Sequence, residues 1–185
     1  MRHKPLLSSA ADPWDTIVAE AGRESALWTA ALRPEEEQER EPIFSLLGEE
    51  RYALGIETIY EGYLLHYGRP RLFTPKDGDT ALLLGDYLYA HGLVRIEQVG
   101  TVEAVNDLAE LIAMCAYLQA EGIAGDGAAW SATAALLGRG ALEDGRTSLR
   151  LDNDPGPLER LARQSAGDTV DEALERHRLR LASGR

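Results

Sequence analysis

Glycine, proline and capping residues cut this chain into apolar segments of helical length, and this punctuation limits the folds open to it. Asp12-Pro13 is an N-cap followed by proline at the first helical position, and Ile17, Val18, Ala21, Leu27 and Ala31 carry a helix to about Arg33. A charged connector, 34–42, follows. From Ser45, the residues Leu46, Leu47, Tyr52, Ile56, Ile59, Tyr60 and Tyr63 keep the helical period until Gly68 and Pro70 stop it. After a loop rich in glycine, proline and aspartate, Asp79 or Thr80 caps a helix to about Val99. Gly100 ends that helix, and Thr101 caps another that runs to about Ala120, before Gly122. Ala128–Leu137 is a further helix, 138–156 reads as a linker, and 157–182 holds the C-terminal helices opened by Asp154-Pro155 and Asp168. Only Thr147–Leu151 alternates like a strand. The expectation is a single all-α domain over 1–185, an antiparallel helical bundle.

Composition agrees with that reading and narrows the function classes. Aromatic residues are 6% of the chain while alanine and leucine are plentiful, which favours helix. A net charge of −12 argues against a nucleic-acid or anionic-membrane binder. That acidity serves solubility before it serves divalent cations. The single cysteine, Cys115, can form no intramolecular disulfide and reads as a buried hydrophobe, with a reducing cytoplasm as the simplest location. No window approaches the roughly 18 uninterrupted apolar residues of a membrane span, and no signal peptide is expected. Trp14, Trp28 and Trp130 read as packing anchors, and His66, His91 and His177 are too scattered for a metal site. The loop Gly122–Gly127 follows no strand, so it is not a phosphate-binding turn.

The stretch ALLLGDYLYAHGL, Ala81–Leu93, places Asp86 in an apolar helix, where a carboxylate needs a partner or an edge. Together with Leu64-Leu65-His66-Tyr67-Gly68-Arg69-Pro70 and LAELIAMCAYLQAEG, it resembles the trans-prenyl diphosphate synthases over roughly 53–122, with a weaker echo in Ala132–Gly138. The resemblance implies a truncated isoprenoid synthase fold and a helix pair at or beside a dimer interface. It also implies magnesium, held against a diphosphate by two aspartate-rich motifs.

Counting back eleven residues from Gly68 reaches Glu57, so Glu57-Thr58-Ile59-Tyr60-Glu61 stands where the first of those motifs would lie. Carboxylates four apart share a helix face and oxygen suits magnesium, so Glu57 and Glu61 are the candidate metal ligands. The plainer reading is two exposed glutamates on an acidic protein. Arg69, Arg71 and His66 are the candidate substrate-binding residues, and Gly85 and Asp86 the structural pair. Asp86 is expected to meet a hydroxyl, a backbone group, or a base such as Arg69 or His66.

Other positions depart from the family. Thr58 removes one carboxylate, and His66-Tyr67 replace two arginines. Arg2-His3-Lys4-Pro5 only faintly echoes the early basic segment. Asp152-Asn153-Asp154 is followed by Pro155 and Gly156, which break the helix a second motif needs. The expectation is therefore a non-catalytic prenyl-synthase-like protein. It would be a homodimer or a heterodimeric partner of a full-length prenyl synthase, or an isoprenoid-binding scaffold. A small magnesium-dependent prenyltransferase and an unrelated helical interaction module are the alternatives.

Overall fold

The computed structural model describes residues 12–182, so the basic segment Arg2–Pro5 lies outside the described residues. Those residues form nine α-helices: α1 (Pro13–Glu24), α2 (Ala26–Ala31), α3 (Ala53–Tyr67), α4 (Gly78–Val99), α5 (Val102–Glu121), α6 (Asp126–Leu136), α7 (Glu143–Asp152), α8 (Gly156–Ala166) and α9 (Thr169–Leu181). Single 3₁₀ turns lie at Glu35–Glu37, Ser45–Leu47 and Glu50–Tyr52. No strand occurs among the described residues; one isolated bridge joins Leu32 to Phe73. The fold is an all-α helical bundle. Among the described residues no helix is long and apolar enough to cross a membrane.

The bundle is built around α3. Every residue from Gly55 to Leu65 is buried, as expected of a helix surrounded by neighbours rather than lying on a surface. One apolar cluster covers it with Trp14, Ile17, Trp28, Leu84 and Leu88. A larger cluster packs the other side with residues of α5, α6, α8 and α9, including Leu111, Trp130, Leu158 and Val170. Cys115 is buried in this larger cluster, and burial pushes its thiol well above the usual range.

Close approach of α3 and α4 depends on two pairs of glycines, each pair seven residues apart. A Cβ on Gly62 would lie 2.9 Å from the Gly85 carbonyl oxygen, and one on Gly92 would lie 3.1 Å from the Gly55 carbonyl oxygen. A Cβ on Gly85 would meet His66 Nε2 at 2.5 Å. Backbone thus packs on backbone, as small residues permit.

Several boundaries differ from the expected ones. The first helix breaks at Ser25, whose extended backbone ends α1 and whose hydroxyl caps α2 by accepting from the Leu27 amide. α4 is capped by Asp77, which accepts from Thr80 N at 2.8 Å. α3 begins at Ala53, not Ser45. A continuous helix would hold Ser45 about 18 Å from Glu57, whereas the Ser45 amide donates to Glu57 Oε1 at 3.1 Å. The expected linker 138–156 contains α7, and its strand-like stretch is helical. Leu142, Arg146 and Leu149 face inward at helical spacing, and Arg146 is satisfied by Asp107 Oδ1 at 3.0 Å and the Asp107 carbonyl at 2.9 Å. An arginine on the buried face hid this helix from apolar periodicity.

Gly62→Ala is expected to destabilise the fold by about 1–3 kcal/mol, because the Gly85 backbone must move. Gly78→Ala, with no atom within 4 Å of the added Cβ, should change stability by no more than about 1 kcal/mol. Urea denaturation of the two variants measures the contrast.

Candidate functional site

Glu57 and Glu61 lie one turn apart on α3, and Arg71 lies between their carboxylates. Arg71 Nη1 donates to Glu57 Oε2 at 2.5 Å and Nε to Glu61 Oε2 at 3.0 Å. The other carboxylate oxygens accept backbone amides: Ile43 and Ser45 on Glu57 Oε1, Arg71 and Leu72 on Glu61 Oε1. Arg71 also donates to the carbonyls of Glu41 and Glu57, and its guanidinium lies 4.7 Å from the Trp14 ring centroid and 5.0 Å from that of Tyr60. All three side chains are buried, Arg71 completely. Burial alone would weaken Arg71's hold on its proton, but the charges of Glu57 and Glu61 raise it overall.

This geometry changes the expected metal pair. Glu57 and Glu61 do share a helix face, but the cation between them is a guanidinium. Each carboxylate oxygen already has a donor. Magnesium requires several oxygens in a compact octahedron, and these are committed elsewhere. The exposed-glutamate reading fails as well, since Glu57 and Glu61 are 1% and 0% exposed. Thr58, at the middle position of the motif, accepts from Arg95 and donates to the Leu54 carbonyl. Among the described residues, no cluster of three or more histidine, cysteine, aspartate or glutamate side chains could hold a metal.

Arg71 is therefore spent inside the fold. His66 and Arg69 lie elsewhere. His66 Nε2 is 3.3 Å from Asp86 Oδ1, and its ring stacks on Tyr89 with centroids 5.0 Å apart. The His66 side chain is 9% exposed and that of Asp86 64%. Asp86 thus sits at an edge and reaches in to a base. Burial lowers the His66 pKa, and the charge of Asp86 partly opposes that shift. Gly85 makes room for the imidazole. Arg69 turns outward, with Nη1 3.4 Å from Glu39 Oε1.

Over the ion triad lies an open cleft of about 350 Å³. Trp14, Pro42, Leu46 and Ala53 line it, and Glu57 reaches its floor.

A second buried polar group joins α3, α5, α6 and α9. Tyr63 donates to Asp126, Gln119 Nε2 donates to the Tyr63 hydroxyl at 3.0 Å, and His177 Nε2 lies 3.1 Å from Asp126 Oδ2. The Tyr60 hydroxyl is 2.9 Å from His177 Nδ1. Burial raises the pKa of both tyrosines, so they remain phenol donors. With the Tyr60 hydroxyl donating to Nδ1, the ring proton on Nε2 is the one donated to Asp126. Burial works to raise the Asp126 carboxyl, but His177, Tyr63 and the Gly127 amide hold it down to about 2. Phe44 and Trp130 pack around the group, and neither Tyr60 nor Tyr63 reaches solvent, so no substrate could meet them. Its two tyrosines tie α3 to α6 and α9. The sequence offered one signal, a histidine on the inward face of the last helix; its aspartate partner lies 51 positions away.

No protein-family model matches this chain, and comparisons with curated proteins and with solved structures find no match.

Arg71→Met should destabilise the protein by about 3–5 kcal/mol, because it leaves two buried carboxylates facing each other; chemical denaturation measures the loss. Asp126 tests the other buried group. Its folded pKa is depressed, so its contribution is fully present above the unfolded value of 3.8 and is lost as pH falls toward about 2. The expected contribution is roughly 2–3 kcal/mol. In Asp126→Asn, melting temperature should fall less steeply than in wild type over this window.

Proposed function

We propose that this chain is a non-catalytic helical scaffold, laid out like the trans-prenyl diphosphate synthases in its α3–α4 pair, that acts by association with a second copy of itself. One observation carries the non-catalytic reading: Arg71 occupies the space between Glu57 and Glu61, and every oxygen of the two carboxylates is already engaged. A diphosphate leaving group needs metal and cationic stabilisation of its developing charge. Here the acidic pair neutralises an internal arginine instead.

The outer surface of α5 supports association. Val102, Ala109, Ala113, Ala116 and Ala120 are all exposed and recur at helical spacing, giving a face without charge on an otherwise charged protein. Leu83, Ala90 and Val94 are exposed on neighbouring α4. Small side chains let a second helix approach closely. An isologous dimer would bring the same faces of two copies together. The apolar cleft at Trp14 and Leu46 supports a narrower second reading, a scaffold that shelters an isoprenoid tail.

Two measurements test the proposal. Incubation with magnesium, an allylic diphosphate and isopentenyl diphosphate should give no elongated product; turnover by the purified wild-type chain would establish the small-prenyltransferase reading instead. Sedimentation should show a dimer that Ala113→Glu dissociates. A wild-type monomer at about 100 μM would remove self-association, since stable homodimers form well below that concentration.

A further inference from the structure

Two arginines from separate parts of the chain converge on one glutamate, and the charge of a third acts on it from further away. Arg180, on α9, donates Nη2 to Glu39 Oε2 at 2.5 Å, and Arg69, after α3, places Nη1 3.4 Å from Glu39 Oε1. Arg33, after α2, contributes a third positive charge. The hydrogen bond from Arg180 does most to hold the Glu39 carboxyl below its usual range; slight burial opposes it, and the charges of Arg180, Arg69 and Arg33 add to it.

The cluster is built into the backbone. Arg33 N donates to the Leu72 carbonyl at 2.9 Å, Arg69 N to the Arg180 carbonyl at 3.1 Å, and Glu39 N to the Arg71 carbonyl at 3.1 Å. Of the other acids near the cluster, Glu41 lies 3.6 Å from Arg176, and Glu57 and Glu61 neutralise Arg71.

Among the described residues Glu39 is the only carboxylate within 4 Å of Arg69 or Arg180, so lifting it out leaves two positive charges without a partner, in a chain whose net charge is −12. The donors are also under-used. The Arg180 side chain is only 8% exposed, yet its Nη1 is buried with no acceptor among the described residues. The Nε of Arg33 is buried and lacks one as well. Buried donors of charged groups are seldom left unpaired without a reason.

We infer that Arg69 and Arg180, flanked by Arg33, form a binding site for a phosphate group, with Glu39 seated in it as an internal plug that the ligand displaces. A phosphate dianion matches the two charges that Glu39 leaves when it is displaced, and its oxygens suit guanidinium forks. Glu39 is a replaceable occupant: its side chain is 41% exposed, and it sits on the connector between α2 and the first residues around Glu57. The site requires no metal. Its ligand groups come from α9 and from the segment after α3, outside the Glu57–Glu61 pair, so it stands or falls independently of the scaffold reading.

The test uses the full chain and inorganic phosphate at about pH 8, where inorganic phosphate is mainly the dianion. Ionic strength is held constant with chloride, and acetate serves as the carboxylate comparison. Calorimetric titration should show phosphate binding to wild type and binding about tenfold tighter to Glu39→Gln. Arg69→Gln in the Glu39→Gln background should weaken it again by about tenfold or more. Circular dichroism verifies that each variant is folded, and Glu39→Asp, whose shorter carboxylate withdraws from Arg180, provides a second unplugged form. Unchanged phosphate affinity in both Glu39 variants overturns the plug. Unchanged affinity in the folded Arg69→Gln variant overturns the site, and acetate binding as tightly as phosphate overturns the choice of ligand.

Discussion

The structure turns on Arg71, a fully buried cation inserted between two carboxylates of the central helix. A buried charge is tolerated only when paired and hydrogen-bonded, and each member of this triad is both. Those bonds hold the protein's irregular segments. Glu57 fixes the backbone at Ile43 and Ser45, Glu61 fixes it at Arg71 and Leu72, and Arg71 reaches the Glu41 carbonyl. The Trp14 ring beside the guanidinium brings α1 to the same point. Apolar residues of similar volume could fill the space with equal or greater stability, but they could not fix two separate stretches of backbone, 41–45 and 71–72.

Glycine packing and a second polar group complete the surroundings of α3. On the α4 side, glycines bring the backbones together and leave a niche for the His66 ring. On the opposite side, Tyr60 and Tyr63 join Asp126 and His177 across α6 and α9. α3 is therefore hydrophobic enough to be central, while its polar residues select its neighbours. This arrangement accounts for an aspartate in ALLLGDYLYAHGL: Asp86 lies at the exposed edge of α4 and faces the imidazole that Gly85 admits.

Much of the helix punctuation was legible because it rests on local chemistry. The Thr101 side chain caps α5, Gly122 closes it with φ +66°, and Gly68 ends α3. Glu57 and Glu61 stood out through their place in the resemblance, and helical spacing then put them on one face. Their partner did not, since Arg71 belongs to an irregular loop and nothing local aims its side chain back at α3. The Ser25 break, the 3₁₀ turns before α3 and the helix α7 were equally hidden. The last two depend on tertiary contacts, the Ser45 amide on Glu57 and Arg146 on Asp107, whereas the Ser25 cap is local, its hydroxyl accepting from the Leu27 amide inside an otherwise continuous apolar period. Where a polar residue occupies an inward position, apolar periodicity misreads the element.

The decisive measurement is a manganese titration of isotope-labelled protein followed through its backbone amide resonances, with magnesium added in competition. If Arg71 holds the Glu57 and Glu61 carboxylates, amides from Glu57 to Glu61 should keep their linewidths, whatever happens at exposed acidic stretches such as Glu35–Glu37. Selective broadening of the Glu57–Glu61 amides, reversed by magnesium, would show an open metal site there and contradict the structural role of the triad.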